Sequence, residues 1–432
     1  MWKNCEEKIA IAAKINTQMY NTVFFIIIGI VIVSFLLEKY LDLLNLRNTV
    51  TELPPEVKDV YEPSRYKTSQ EYKKTKIRFS FITGSFSLIL ILGMLLLGGF
   101  GYINNLAWSF SENPIIIALI FFGIIGFSSD ILSTPFDIYD TFVIEEKFGF
   151  NKITPKVYLM DKLKAWLLTA VIGGGLLALI IWMYDIMGKA FWIYAWGMIS
   201  LFSVFMTMFY SNLIVPLFNK QTPLEQGDLR NAIEEFSKKT DFKLTNIYVI
   251  DGSKRSTKSN AYFTGLGTKK RIVLFDTLIK DLSTEEIIAV LAHEIGHYKK
   301  KHTLSGLFLG ILQTGLTFYL FSLLIDNPLL SQALGAENPE FHLSLIAFGI
   351  LYSPVSLLIG LLLNIFSRAN EYAADRFAAT VYNGEWLMDA LKKLTTKNLS
   401  NLTPHPLYVF FHYSHPPLIS RIRALKKASG IS

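Results

Sequence analysis

The stretch "LAHEIGHYKKKH" (Leu291–His302) decides how this chain is read. It sets two histidines four residues apart around a glutamate, adds a run of lysines, and is followed almost at once by a long apolar segment. Upstream, Ser283 and Glu286 form a capping-box pattern. Ile287, Ile288, Val290, Leu291 and Ile295 supply an apolar face, so 283–302 reads as one helix. His293 and His297 then stand one turn apart on the same side, where two imidazoles can bind one zinc ion. Such an ion lowers the pKa of a bound water to about 7, and Glu294 is placed to take that water's proton. Cys5 is the only cysteine, so an internal disulfide and a cysteine zinc cage are both excluded. Any metal must be held by His, Glu or Asp.

Outward from the motif the chain becomes apolar. Hydrophobic residues make up 51% of the 432 positions and charged residues only 18%, which points to the membrane class. Seven segments are long and apolar enough to cross about 30 Å of hydrocarbon as helices. They lie near 19–38, 79–103, 114–135, 165–185, 191–217, 303–325 and 343–366. The first begins near Met19 and reads as a retained span, since it is too long for a signal-peptide core.

Positive charge sorts the connections. The segment after the first span carries Lys39, Arg47, Lys58, Arg65, Lys67, Lys73, Lys74, Lys76 and Arg78, and the one after the third carries Lys147, Lys152, Lys156, Lys162 and Lys164. The intervening "YINNLAWSFSEN" and the later "DNPLLSQALGAENPEF" hold neither Lys nor Arg. This alternation puts the odd-numbered connections and the C-terminus in the cytosol. Seven spans then put the N-terminus outside, where Lys3, Lys8 and Lys14 fit less well. The chain divides into 1–218 (five spans with cytosolic loops), 219–302 (a cytosolic protease segment with the motif), 303–366 (a membrane hairpin) and 367–432 (a second cytosolic segment).

A catalytic zinc needs a third protein ligand and an open position. The best candidate lies in "SRANEYAADRFAA", where Glu371 and Asp375 share a helical face among small residues that permit close helix approach. The histidines precede the sixth span and Glu371 follows the seventh, so the hairpin returns Glu371 to the same membrane face. Taken alone, Glu371 could equally pair with Arg368.

Together these residues resemble the type I CAAX prenyl proteases, integral-membrane zinc metalloendopeptidases. The likeness spans most of the chain through "FVIEEKFGFNK" (142–152), "SNLIVPLFNK" (211–220), "SNAYFTG" (259–265), "RIVLFDTLI" (271–279), "HEIGH", "SRANEYAAD" (367–375) and "HYSHPP" with Arg421. The resemblance implies a mainly α, multi-pass fold of about seven transmembrane helices around a water-filled chamber, capped by a cytosolic zinc-protease domain. It implies that His293, His297 and Glu371 bind one zinc ion and that Glu294 is the general base. Asp375 matches a position described as a proton donor. Its place one turn beyond Glu371 suits orientation of a zinc histidine equally well. Asn260 and His415 match positions that hold substrate backbone or the oxyanion. By residue type alone, Asn260 starts an edge strand or sits in a turn, His415 is catalytic or structural, and Arg421 supports the site or caps the last helix. His302 and His412 read as structural. Asp137, Asp140, Glu145 and Glu146 read as a solvated interfacial stretch.

The expected activity is endoproteolysis at the membrane, of the kind that trims prenylated C-terminal CAAX segments. Its partners are peptide or protein substrates, prenylated ones included, and the lipid bilayer, with no nucleic acid. One alternative is a bacterial membrane-protein quality-control protease of the HtpX type, without prenyl specificity. Another, from a different class, is a transporter or channel. Against it, the spans carry almost no ionisable residues at mid-membrane, with Asp130 near the end of span three the main exception. The short loop between spans six and seven and the final "KKASGIS", which lacks a dibasic retrieval signal, favour a bacterial cytoplasmic membrane over the endoplasmic reticulum of a eukaryote.

Overall fold

The computed structural model describes residues 19–49, 52–59, 61–242, 246–264 and 271–430. Residues 1–18, and with them the N-terminal orientation and Lys3, Lys8 and Lys14, lie outside the described residues. Six helical stretches among the described residues are long and apolar enough to cross a membrane: Thr22–Arg47, Pro63–Leu96, Pro114–Glu145, Pro155–Phe218, His302–Leu324 and Phe341–Val381. The fourth has 64 residues and would be about 96 Å long if straight, three times the hydrocarbon thickness. It turns back at Gly188, whose φ of +53° is left-handed, and its halves Gly174–Met187 and Phe191–Leu213 pack against each other. Counted as passes, the described residues hold seven spans.

These helices do not form a solid bundle. Only 6 to 17% of each apolar window is buried, so most residues of each span are not enclosed by neighbouring helices. Their shared apolar contacts gather at the end remote from the motif, where Phe24, Phe100, Phe121, Phe191, Phe321 and Leu343 meet. Lys39 pins the first two spans together. Its buried ammonium donates to Asp42 Oδ2 at 3.1 Å and to the Ser80 carbonyl at 2.9 Å. Asp130, within the third span, is paired with Lys162 at 3.0 Å and accepts from Trp166 Nε1 at 2.9 Å.

The part of the chain that carries the motif is built on a four-stranded sheet in the order β1 (Gln221–Pro223), β2 (Asn246–Ile250), β4 (Arg271–Phe275), β3 (Ala261–Thr264). β2 and β4 are parallel and β3 is antiparallel to β4, which leaves β3 on an edge. Ile247, Ile272 and Leu274 of the sheet pack with Ile287, Ile288, Leu291 and Ile295 of the motif helix.

The motif helix runs from Thr284 to Lys299. The capping box is formed, with Glu286 N donating to Ser283 Oγ and Ser283 N to Glu286 Oε2. One helix over 283–302 is the sequence expectation, and the structure corrects it. Lys301 adopts a left-handed φ of +61°, and a new helix starts at His302. Lys299, Lys300 and Lys301 add no apolar residue to the buried face, so nothing holds the chain on its first axis.

The helix Phe341–Val381 has 41 residues and a length of about 60 Å, twice the hydrocarbon thickness. It leaves the membrane without a break at 366/367 and continues beyond it, carrying buried Glu371 and Asp375.

Candidate metal centre

The motif helix and the long helix cross in close contact. Gly296 makes this possible, because a Cβ there would lie 3.1 Å from Ala374 Cα and 3.2 Å from its carbonyl oxygen. The approach brings His293, His297 and Glu371 together, with one donor atom from each within 4.8 Å of the others. His293 Nε2 and His297 Nε2 are 3.1 Å apart. Glu371 Oε1 is 3.2 Å from His297 Nε2, and Glu371 Oε2 is 3.6 Å from His293 Nε2.

Two ligands bound to zinc at 2.0–2.1 Å and the tetrahedral angle stand about 3.3 Å apart. The 3.1 Å between the histidine nitrogens and the 3.2 Å from His297 to Glu371 Oε1 match that edge, so the three residues fit one small tetrahedral cation. The donor chemistry fits too, since facing imidazole lone pairs beside a buried carboxylate repel one another without a positive charge between them. Glu371 Oε2 is buried without a hydrogen bond, with Arg421 Nη1 standing off at 3.5 Å. Burial alone would lower the pKa of His297. The hydrogen bond and charge of Glu371 outweigh it and raise that pKa, so the pocket draws a cation to this nitrogen.

Each motif histidine is also held at its far nitrogen. Asp375 Oδ1 lies 2.9 Å from His293 Nδ1. Arg421, from the helix Leu418–Ser429, grips the same carboxylate with Nε at 2.8 Å and Nη2 at 2.6 Å. Arg421 Nη2 also lies 3.4 Å from His293 Nδ1, too far to compete with that pair. On the other side, His302 Nδ1 lies 3.0 Å from His297 Nδ1.

These groups open onto a cavity of 610 Å³ whose wall includes Asn260, Glu294, His415 and the apolar Leu309, Leu363 and Phe366. Asn260 immediately precedes the edge strand β3, and its Oδ1 accepts from Ala261 N at 2.9 Å. His415 is exposed, with Nε2 3.3 Å from Glu371 Oε1. Arg368 does not pair with Glu371. It donates to the carbonyls of Val409 at 3.3 Å and Tyr413 at 2.5 Å, which anchors the loop that carries His415.

Known proteins share this plan. A family model described as the CAAX prenyl protease N-terminal region with five membrane helices matches residues 42–220, and the peptidase family M48 model matches 223–429. The mouse CAAX prenyl protease 1 homolog is 35% identical, over 88% of this chain and 90% of its own length. The Saccharomyces cerevisiae CAAX prenyl protease 1 is 35% identical, over 94% of this chain and 95% of its own. The chain belongs to the CAAX prenyl protease group of peptidase family M48. The crystal structure of S. mikatae Ste24p superposes with a TM-score of 0.89 at 35% identity, over 94% of this chain and 99% of that one. The chain is therefore an integral-membrane metallopeptidase acting on peptide or protein substrates. Neither the HtpX-type nor the transporter reading is favoured, because the likeness to CAAX prenyl proteases runs through the membrane region as well as the zinc motif.

Three features of this M48 centre are not read from the motif alone. Arg421 couples Asp375 and Glu371 from 46 and 50 residues away. The only signal for it is a charged residue on the inner face of the last helix. His302 lies beside the metal site, with its ring edge to face on that of His297. Glu145 and Asp140 are not a solvated stretch. Glu145 accepts from Tyr72 at 2.6 Å and pairs with Lys258 at 2.8 Å, and Lys76 pairs with Asp140 at 2.6 Å. These ties lock the "FVIEEKFGFNK" turn onto the segment entering β3, where Thr257 N donates to Phe150 O at 3.1 Å and Arg255 pairs with Asp161 at 2.7 Å.

Proposed function

We propose that this chain is a zinc endopeptidase that trims the C-termini of prenylated CAAX-type proteins at the cytosolic face of a membrane. The observation that carries the reading is the meeting of His293, His297 and Glu371 on a cavity wall that also holds Glu294 and an edge strand. A zinc ion held by these three residues would supply a Lewis acid that polarises the scissile carbonyl and makes water acidic enough to attack near neutral pH. Glu294 takes the proton of the attacking water and returns it to the leaving amine. An extended substrate adds to the open edge of β3, so its backbone is held by hydrogen bonds and its side chains project alternately. His415 and Asn260 stand on the cavity wall to donate to the oxyanion and to the substrate backbone. Asp375 acts by position: it fixes the tautomer of His293, and Arg421 keeps it ionised.

The lysine-rich connections 39–78 and 147–164 put the site on the cytosolic side. In a bacterial source that membrane is the cytoplasmic one, and in a eukaryotic source the endoplasmic reticulum. The apolar Leu309, Leu363 and Phe366 beside the metal residues suit a prenyl-modified chain end. The test is metal analysis together with cleavage of one peptide in prenylated and unprenylated forms. The proposal predicts stoichiometric zinc and faster cleavage of the prenylated form. Equal rates would replace CAAX processing by general proteolysis.

A further inference from the structure

We infer that His302 is a positioning residue for the metal ligand His297, and that it ties the start of the sixth span to the metal centre. The inference rests on the zinc-site reading above. Had the motif helix continued through 302, that side chain would point about 140° away from His297, five residues on at 100° per residue. The left-handed turn at Lys301 instead restarts the chain at His302 and swings its ring back. A lysine in that conformation is strained, and such strain persists where the surrounding structure demands it. The rings of His297 and His302 meet edge to face with centroids 5.0 Å apart, and the two Nδ1 atoms are 3.0 Å apart.

The tautomers then follow. A neutral His297 that offers Nε2 to a metal carries its proton on Nδ1, so Nδ1–H is the donor. His302 must receive that bond on an unprotonated Nδ1, which makes it a neutral imidazole with its proton on Nε2. Asp375 plays the same part for His293 at 2.9 Å, so both metal histidines are held at the far nitrogen. The two holders differ in kind. Asp375 is an anion carried on the extension of the long helix Phe341–Val381 beyond span seven. His302 is neutral and opens span six, where Ser305 Oγ donates to its carbonyl at 3.0 Å. A tilt of the sixth span therefore reaches His297 directly.

The test is zinc affinity of the full-length protein in detergent, by competition with a chelator, for His302→Ala, His302→Phe and His302→Asn. Thermal unfolding of the zinc-free forms checks folding. Ala and Phe should weaken zinc binding by about 10- to 100-fold, the usual effect of losing such a partner. Asn places an acceptor oxygen where Nδ1 stood and should recover most of it. An Ala variant that binds zinc as tightly as the wild type, or an Asn variant no better than Phe, would overturn the inference. A wild type that holds no zinc would bring down the metal-site reading itself, and this inference with it.

Discussion

Replacing Gly296 by alanine adds one methyl group where the motif helix meets the long helix. The new Cβ would lie 3.1 Å from Ala374 Cα, 3.2 Å from the Ala374 carbonyl oxygen and 3.2 Å from Phe377 Cδ1. Carbon contacts are comfortable at about 3.5–4.0 Å, so the helices must part by roughly 0.4–0.6 Å. Two of those three atoms are backbone and cannot swing aside. Two effects oppose each other. Alanine gains about 1 kcal/mol over glycine as a helix former, while overpacking costs about 1–3 kcal/mol. The net loss of stability is therefore small, about 0–2 kcal/mol. The site suffers more, because Ala374 sits between Glu371 and Asp375 on the displaced helix. Functional groups tolerate roughly 0.5 Å of misplacement, and 1 Å costs about 100-fold in rate. Activity should fall by about ten-fold with weaker zinc binding and a nearly unchanged melting temperature. Gly310→Ala is the control, since a Cβ there meets nothing within 4 Å. The measurements are cleavage of a reporter peptide, zinc titration and thermal unfolding. A Gly296→Ala protein with full activity, full zinc affinity and a raised melting temperature would refute the close-approach reasoning.

Other perturbations separate positioning from chemistry. Asp375→Ala strands a buried Arg421 and frees His293 Nδ1, so denaturant unfolding should show a loss of about 3–5 kcal/mol. Pairing Asp375→Leu with Arg421→Met should cost less than the sum of the two single losses. Glu145→Ala removes the acceptor of Tyr72 and of Lys258, and with it the tie to the segment entering β3, a loss of about 1–3 kcal/mol. It should raise KM for peptide while zinc content stays at wild-type level. Chelation should abolish cleavage and added zinc restore it without unfolding, because Ile287, Leu291 and Ile295 hold the motif helix in the sheet core independently of the metal. Loss of helical circular dichroism on chelation would contradict that independence.

Local chemistry was legible in the chain. Ser283 and Glu286 form the capping box that their spacing announces, and the strand after Asn260 lies at a sheet edge. The hairpin logic that returns Glu371 to the histidines also matches the geometry, because two membrane crossings leave one arrangement. Features set by distant partners were less legible. Glu145 resembles any interfacial carboxylate until Lys258 and Tyr72 close over it, and Arg421 by residue type supports the site or caps the last helix, an alternative that only its partner Asp375 decides. The break at Lys301 also escaped, since three lysines permit a helix as readily as a turn. That break is what carries His302 to His297.

The most direct test of the account is Glu294→Gln in the full-length protein, with zinc content and peptide cleavage measured on the same sample. The substitution keeps the side chain's size and removes its basicity, while His293, His297 and Glu371 are untouched. The account predicts one zinc per chain and no detectable cleavage. Cleavage near the wild-type rate with zinc bound would contradict Glu294 as the proton carrier and the mechanism built on it.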